Sequence, residues 1–486
     1  VNTKPTLRQL RPTTEPRHLS PVLWVFMASC VILILIGFLR SPPRQDSSPG
    51  HASATSNVAE PNQTGRNLSA HPQKTVHRSR SGSSPVPTPE EIVTTKVAQF
   101  GRTRRDLVHA VARRSQKEVP PEVERFFDAI ESGNWDDIKA QWDALSKRSG
   151  QYEGSKHSPE LDSFWPSILD AYGVAEQAHL WPAQQLLDYG HAILDSLKPG
   201  MIYVGGTDNG RWVPELLNDT SDGEHHIIVT QNALADGRYL EFVSDLYGGQ
   251  LTALTKEDSQ RGFQQYMDDA KKRFDHDQQF PDEPKQVRPG EDIKFVDGKV
   301  QVSGQVAVMM INEKLLGMLM DKNPDRSFAI QESFPLTGTY PGALPLGPLM
   351  ELRAPDGQDS FTAERAAQSL DYWRNQAQQI LADPEAAGSD AALKSYSHDA
   401  VAAANLLAAH DFNAEAEQAY RLATQLCPAN PEAAGDLAAL LAHTGRGDEA
   451  QQLLDDFNRQ HPDERKNLEK TSAAWGVIVS TQPAKP

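Results

Sequence analysis

Four pairs of positions near the end of this chain stand one 34-residue step apart: Ala416 and Ala450, Tyr420 and Leu454, Ala423 and Phe457, and Pro428 and Pro462. A period of that length marks helical hairpins, each of which buries its apolar face only against its neighbour. The C-terminal part therefore reads as stacked helix pairs, and so as a binding surface. Units over 397–430 and 431–464 place Ala404 and Ala438 at the small position of the first helices, with Leu407 and Leu441 three residues on. Pro428 and Pro462, which lack an amide donor, end the second helices. In this register His398, Asn405, Glu432 and His443 face the concave groove and are its candidate contact residues, with plain solvated surface as the alternative. Two units are marginal alone, so the helix holding Leu370, Tyr372, Trp373 and Ile380 and the segment around Trp475 are candidate caps.

At the other end, Val22 to Leu39 is an 18-residue run without a charge, bounded by Pro21 and Arg40. As a helix it extends about 27 Å, close to the hydrocarbon thickness of a bilayer. Residues 21–40 are thus expected to form a single transmembrane helix; a signal peptide is disfavoured because no small-residue cleavage site follows. Lys4, Arg8, Arg11 and Arg17 precede the span and only Arg40 and Arg44 follow closely, which puts the basic tail 1–20 in the cytoplasm and the rest outside it. The first residue, Val, reads as a GUG start or as a fragment; the former points to a bacterium, an inner-membrane anchor and periplasmic domains. Cys30 lies within the run and Cys427 far away, so no disulfide framework is expected. Residues 41–91, rich in Ser, Pro, Gly and Thr, read as a disordered tether.

Charge is divided along the chain. Residues 1–117 carry 17 Lys/Arg against 6 Asp/Glu, a net of +11, so residues 118–486 carry −28 of the total −17. An acidic folded part is a poor nucleic-acid binder. From 92 to 198 helical patterns dominate. Ile92, Val93, Val97, Phe100, Leu107, Val108 and Val111 alternate with arginines, which fits either a basic helix on anionic lipid or the end of the tether, with Gly101 interrupting the pattern. Phe126, Phe127 and Ile130, then Trp135, Ile138, Trp142 and Leu145, form the stripes of a helix pair.

From 199 to 356 the rhythm changes. Met201–Val204 and His226–Thr230 read as buried strands, each followed by a turn and a helix, the pattern of a parallel, Rossmann-like α/β domain. Later come a helix from Lys256, an Asp297-Gly298 hairpin, a helix from Gln305 to Met320 and a strand near Phe328 to Ser333. Ligands of such sheets collect at the carboxyl ends of the strands. Asp208, Asn209 and Arg211 after the first strand, with Gln231 and Asn232 after the second, are the candidate contacts for a phosphate, sugar or nucleotide. The loop is neither GxGxxG nor a P-loop, and its structural reading is a tight turn with a capped helix. No catalytic constellation, metal-ligand spacing or cofactor motif occurs.

The run Pro199-Gly200-Met201-Ile202-Tyr203-Val204-Gly205-Gly206-Thr207-Asp208-Asn209-Gly210 and the helix Arg211–Leu217 resemble the soluble domain that follows the membrane part of glycosyltransferase-C-type proteins, among them uncharacterised bacterial proteins and protein O-mannosyltransferases. Asn323–Ile330 and Leu349–Arg353 resemble later segments of that domain. The multi-spanning catalytic part is missing, so the resemblance implies an accessory domain and no transferase activity. The repeats over 361–470, before a tail at 471–486, resemble the tetratricopeptide family. The expected whole is α/β plus all-α: a transmembrane helix, a parallel α/β domain and a tetratricopeptide α-solenoid. The expected function is protein–protein interaction or assembly in the cell envelope through the groove. The alternative is an α/β domain that binds or turns over a nucleotide, sugar or phosphate ligand at the 205–211 turn.

Overall fold

The computed structural model describes residues 86–150, 155–206, 208–288, 290–296, 299–352 and 361–469. The expected membrane span at 21–40, the tether up to residue 85 and the tail lie outside them. Among the described residues no helix is long and apolar enough to cross a membrane.

Helix α1 (Pro89–Ser115) begins at Thr88, whose hydroxyl accepts the Glu91 amide while Glu91 reaches back to the Thr88 amide, a capping box. Its stripe of Val93, Val97, Phe100, Val108 and Val111 is buried. The helix therefore neither lies on lipid nor continues a tether: its apolar face packs against α2 (Pro121–Ser132) and α4 (Trp165–Leu180). Gly101 is what permits the approach, since a Cβ there would sit 2.5 Å from the Ile130 side chain. Helices α3 (Trp135–Ser146) and α5 (Ala183–Leu194) complete the first layer.

Strand β1 (Ile202–Gly205) then leads into α6 (Asn209–Asp219), β2 (Ile227–Thr230) and α7 (Gly237–Tyr247). Helix α8 (Lys256–Gln279), the antiparallel pair β3 (Asp292–Val296) and β4 (Lys299–Ser303), and α9 (Gln305–Lys322) form a flanking lobe. The chain returns through β5 (Phe328–Ile330), β6 (Ala343–Leu346) and β7 (Leu349–Leu352). The main sheet has the order β2-β1-β5-β7-β6. Only β2, β1 and β5 run parallel; β7 pairs antiparallel with both β5 and β6. The expected parallel, Rossmann-like sheet is thus corrected to a small mixed sheet in a structure whose described residues are 66% helical. The reason is local. Gly347, at φ +58°, turns β6 straight into β7, and a connection that short joins antiparallel neighbours only.

Helices α10 (Ala363–Ala382) and α11 (Pro384–Ala387) precede the two hairpins, α12 (Asp390–Ala409) with α13 (Asn413–Leu426) and α14 (Pro431–His443) with α15 (Gly447–Gln460). The small positions are filled as the period requires: Ala404 and Ala416 are fully buried and Ala438 and Ala450 nearly so. A separate solenoid is nevertheless corrected too. One apolar cluster runs unbroken from Val93 of α1 through Tyr203 of β1 to Leu441 of α14. Two hairpins cannot bury their own faces, so the first lies on α10 and on the end of the sheet instead.

Candidate functional site

Three parallel strands end side by side, and each is followed by a polar residue. After β1, Asp208 accepts the Gly210 amide at 3.0 Å and caps α6, and Asn209 donates to the Tyr189 hydroxyl at 2.8 Å. After β2, Gln231 accepts the Ser333 amide at 3.1 Å, its own amide nitrogen is buried without a partner, and Asn232 lies in the same 3-10 turn. After β5 come Gln331 and Glu332. Gln331 donates to Tyr189 and to Asp399 of α12, and Tyr189 donates to the other Asp399 oxygen at 3.0 Å.

The hairpin residues expected in a separate groove meet this same place. His398 bonds Glu432 at 2.8 Å through Nδ1 and the Glu332 carbonyl at 2.6 Å through Nε2. Asn405 donates to Glu332 Oε1 at 3.1 Å and accepts the Tyr420 hydroxyl at 2.6 Å, while Tyr340 donates to Glu332 Oε2 at 2.5 Å. So Asp208, Asn209, Gln231, His398, Asn405 and Glu432 gather in one polar joint between the sheet and the hairpins. His443 is exposed at the last turn of α14, outside it.

Arg211 also lies outside, on the opposite side of α6. Its guanidinium bonds Asp170 at 2.6 Å and Glu215 at 3.0 Å in a buried cluster completed by Arg104, which bonds Asp170, Glu215 and Asp219. Arg104 also lies 4.1 Å over the Phe100 ring. Burial alone would raise the Asp170 carboxyl, but Arg211 and Arg104 outweigh it and hold the group below its ordinary value. Glu215 goes the other way, pushed up to about 8 by burial against the pull of Arg211. This cluster ties α1, α4 and α6 together and is an internal strut.

Electrostatics decide what the joint can do. Both His398 partners are acceptors, so the ring serves as a double donor, the imidazolium. Burial works against that charge, but Glu432, Asp399 and Asp208 outweigh it and the ring is held well above its ordinary value. Burial pushes Glu332 up to about 8 and Asp399 to about 6, and it raises Asp208 and, far more, Asp436. Asp436, one turn beyond Glu432 on α14, is completely buried and neither of its oxygens has a partner. A phosphate at the 205–211 turn would meet this ring of carboxyls, and Asp208 already caps the helix N-terminus that an anion would need. No group of metal-ligand geometry occurs among the described residues.

Sequence reasoning did not find Gln331, Glu332, Tyr189, Asp399 or Asp436. The signal for the first two was present: they follow β5 as Asp208 follows β1, but running that strand on to Ser333 hid them. Asp436 lies four residues after Glu432, on the same helix face. His398 and Glu432 are themselves one repeat step of 34 apart, so their pairing was implicit in the period. In comparisons with known proteins, no family model, no curated protein and no solved structure matches this chain.

Proposed function

We propose that this chain is a non-catalytic assembly protein of the cell envelope, held at a membrane by residues 22–39 and offering its helical hairpins to a protein partner. The observation that carries the reading is the state of the joint. Its histidine has both nitrogens in use and its carboxyls are bonded internally or buried, so its polar residues fasten the hairpins rather than act on a substrate. The uncovered surface lies on the other side. In α15 only Ala450 and Phe457 are buried, and a half-buried quartet of Glu417, Arg421, Arg446 and Glu449 bridges α13 to α15. The resemblance of the paired helices to tetratricopeptide units supports the same reading, as does the poor fit of the acidic joint to a nucleotide or phosphate.

The test is photo-crosslinking of the full chain in its native membranes. A photoreactive residue replacing Gln451 on α15 should give one discrete heterologous adduct, and one replacing Lys139 on α3 should give none. No adduct from α15, or equal labelling from α3, overturns the reading.

A further inference from the structure

Five carboxyl groups meet in the joint, those of Asp208 at the end of β1, Glu332 at the end of β5, Asp399 on α12, and Glu432 and Asp436 on α14. The cations facing them are His398 and, further out, the ammonium of Lys394 on α12. The hydroxyls around them come from Tyr189 of α5, Tyr203 of β1, Tyr340 before β6 and Tyr420 of α13, with Tyr372 of α10 and Tyr396 of α12 beside Asp399. Burial keeps these phenols protonated, so they add no negative charge. His410 at the end of α12 reaches the Tyr340 carbonyl at 2.8 Å and closes the ring of neighbours. Five ionised carboxyls against two cations would leave the joint strongly negative in a place largely closed to water, a state that proteins avoid by holding protons.

We propose that the joint is a proton-operated clamp: while the buried carboxyls of Glu332 and Asp436 hold protons, α14 stays seated on α12 and on the end of β5, and as they ionise α14 loosens and admits water.

Asp436 is the group that most directly couples charge to movement. It has no hydrogen-bond partner inside the seated joint, so only its neutral form suits that position, and its carboxylate needs water that arrives when α14 shifts. Access for protons is built in, because the His398 and Glu432 side chains stay 25% and 24% exposed at the rim. The direction is the same for every shifted group. Asp208, Glu332, Asp399, Asp436 and His398 are all raised on folding, so the stability they contribute is present in acid and is lost as pH climbs. The values near 6 for Asp399 and near 8 for Glu332 place the change across neutrality.

The experiment is amide hydrogen exchange on the full chain at about pH 5.5 and about pH 8.5, corrected for the intrinsic rate of exchange. Protection of α14 should fall at least about tenfold more at the higher pH than that of peptides from α2 and α3. In a chain carrying Glu332→Gln and Asp436→Asn, which cannot ionise at those positions, the α14 loss should shrink to about threefold or less. A flat α14 profile in the unaltered chain overturns the clamp, and so does an equal loss across α2 and α3. Should the double variant not fold, the profile of the unaltered chain decides alone; should it fold and keep the full loss, the assignment to Glu332 and Asp436 is wrong.

Discussion

Gly210 and Gln331 show how little freedom the joint leaves to a single residue. A Cβ on Gly210 would lie 1.3 Å from the Gln331 side-chain oxygen, where no atom fits. Gln331 cannot simply swing away, because its amide nitrogen holds both Tyr189 and Asp399. Gly210→Ala is therefore expected to cost about 1–3 kcal/mol of stability through overpacking, measured by urea unfolding. Combining it with Gln331→Ala should relieve part of that cost, since the clash partner is gone. Strictly additive effects in this double-mutant cycle would mean that the two residues do not meet.

Among the elements, β2 is the edge of the sheet, and its outward amides need partners that no strand provides. Helix α7 supplies them: the Tyr239 hydroxyl accepts the Thr230 amide at 2.7 Å, and the Tyr247 hydroxyl accepts the Ile228 amide at 3.2 Å. The edge is closed by side chains in place of a strand. Tyr239→Phe should leave a buried amide unbonded and cost roughly 1–3 kcal/mol, visible as a lower urea midpoint with an unchanged slope. An unchanged midpoint would show that water satisfies the amide. Such a closure is invisible in the sequence, where nothing sets Tyr239 or Tyr247 apart from any other tyrosine. What the sequence did carry was periodic. The 34-residue step located both hairpins, and apolar runs located β1 and β2, because burial on a regular element imposes a regular spacing. The direction of β7 was not legible, since it follows from the one turn at Gly347. Nor was the convergence of two candidate sites into one joint, because the contact between Glu332 and the hairpins is tertiary and leaves no local pattern.

At the scale of the whole molecule, two buried polar clusters lie on opposite sides of α6, and both contain acids raised to about 8: Glu332 in the joint and Glu215 in the strut. Each raised acid favours the folded chain at low pH. Global stability should therefore fall, by roughly 2–4 kcal/mol in order of magnitude, as pH rises from the ordinary carboxyl value of 4.5 to about 8, and denaturant unfolding at a series of pH values measures it. A flat or rising curve would show that the clusters do not hold their protons. The same joint also sets an order in time. Tyr189 has to wait for Asp399, 210 residues later in the chain, and His398 for Glu432, 34 residues later still. During synthesis the strand ends stay unsealed until α14 emerges, and a chain cut short before α14 is left with an open, half-paired interior for chaperones and proteases to find.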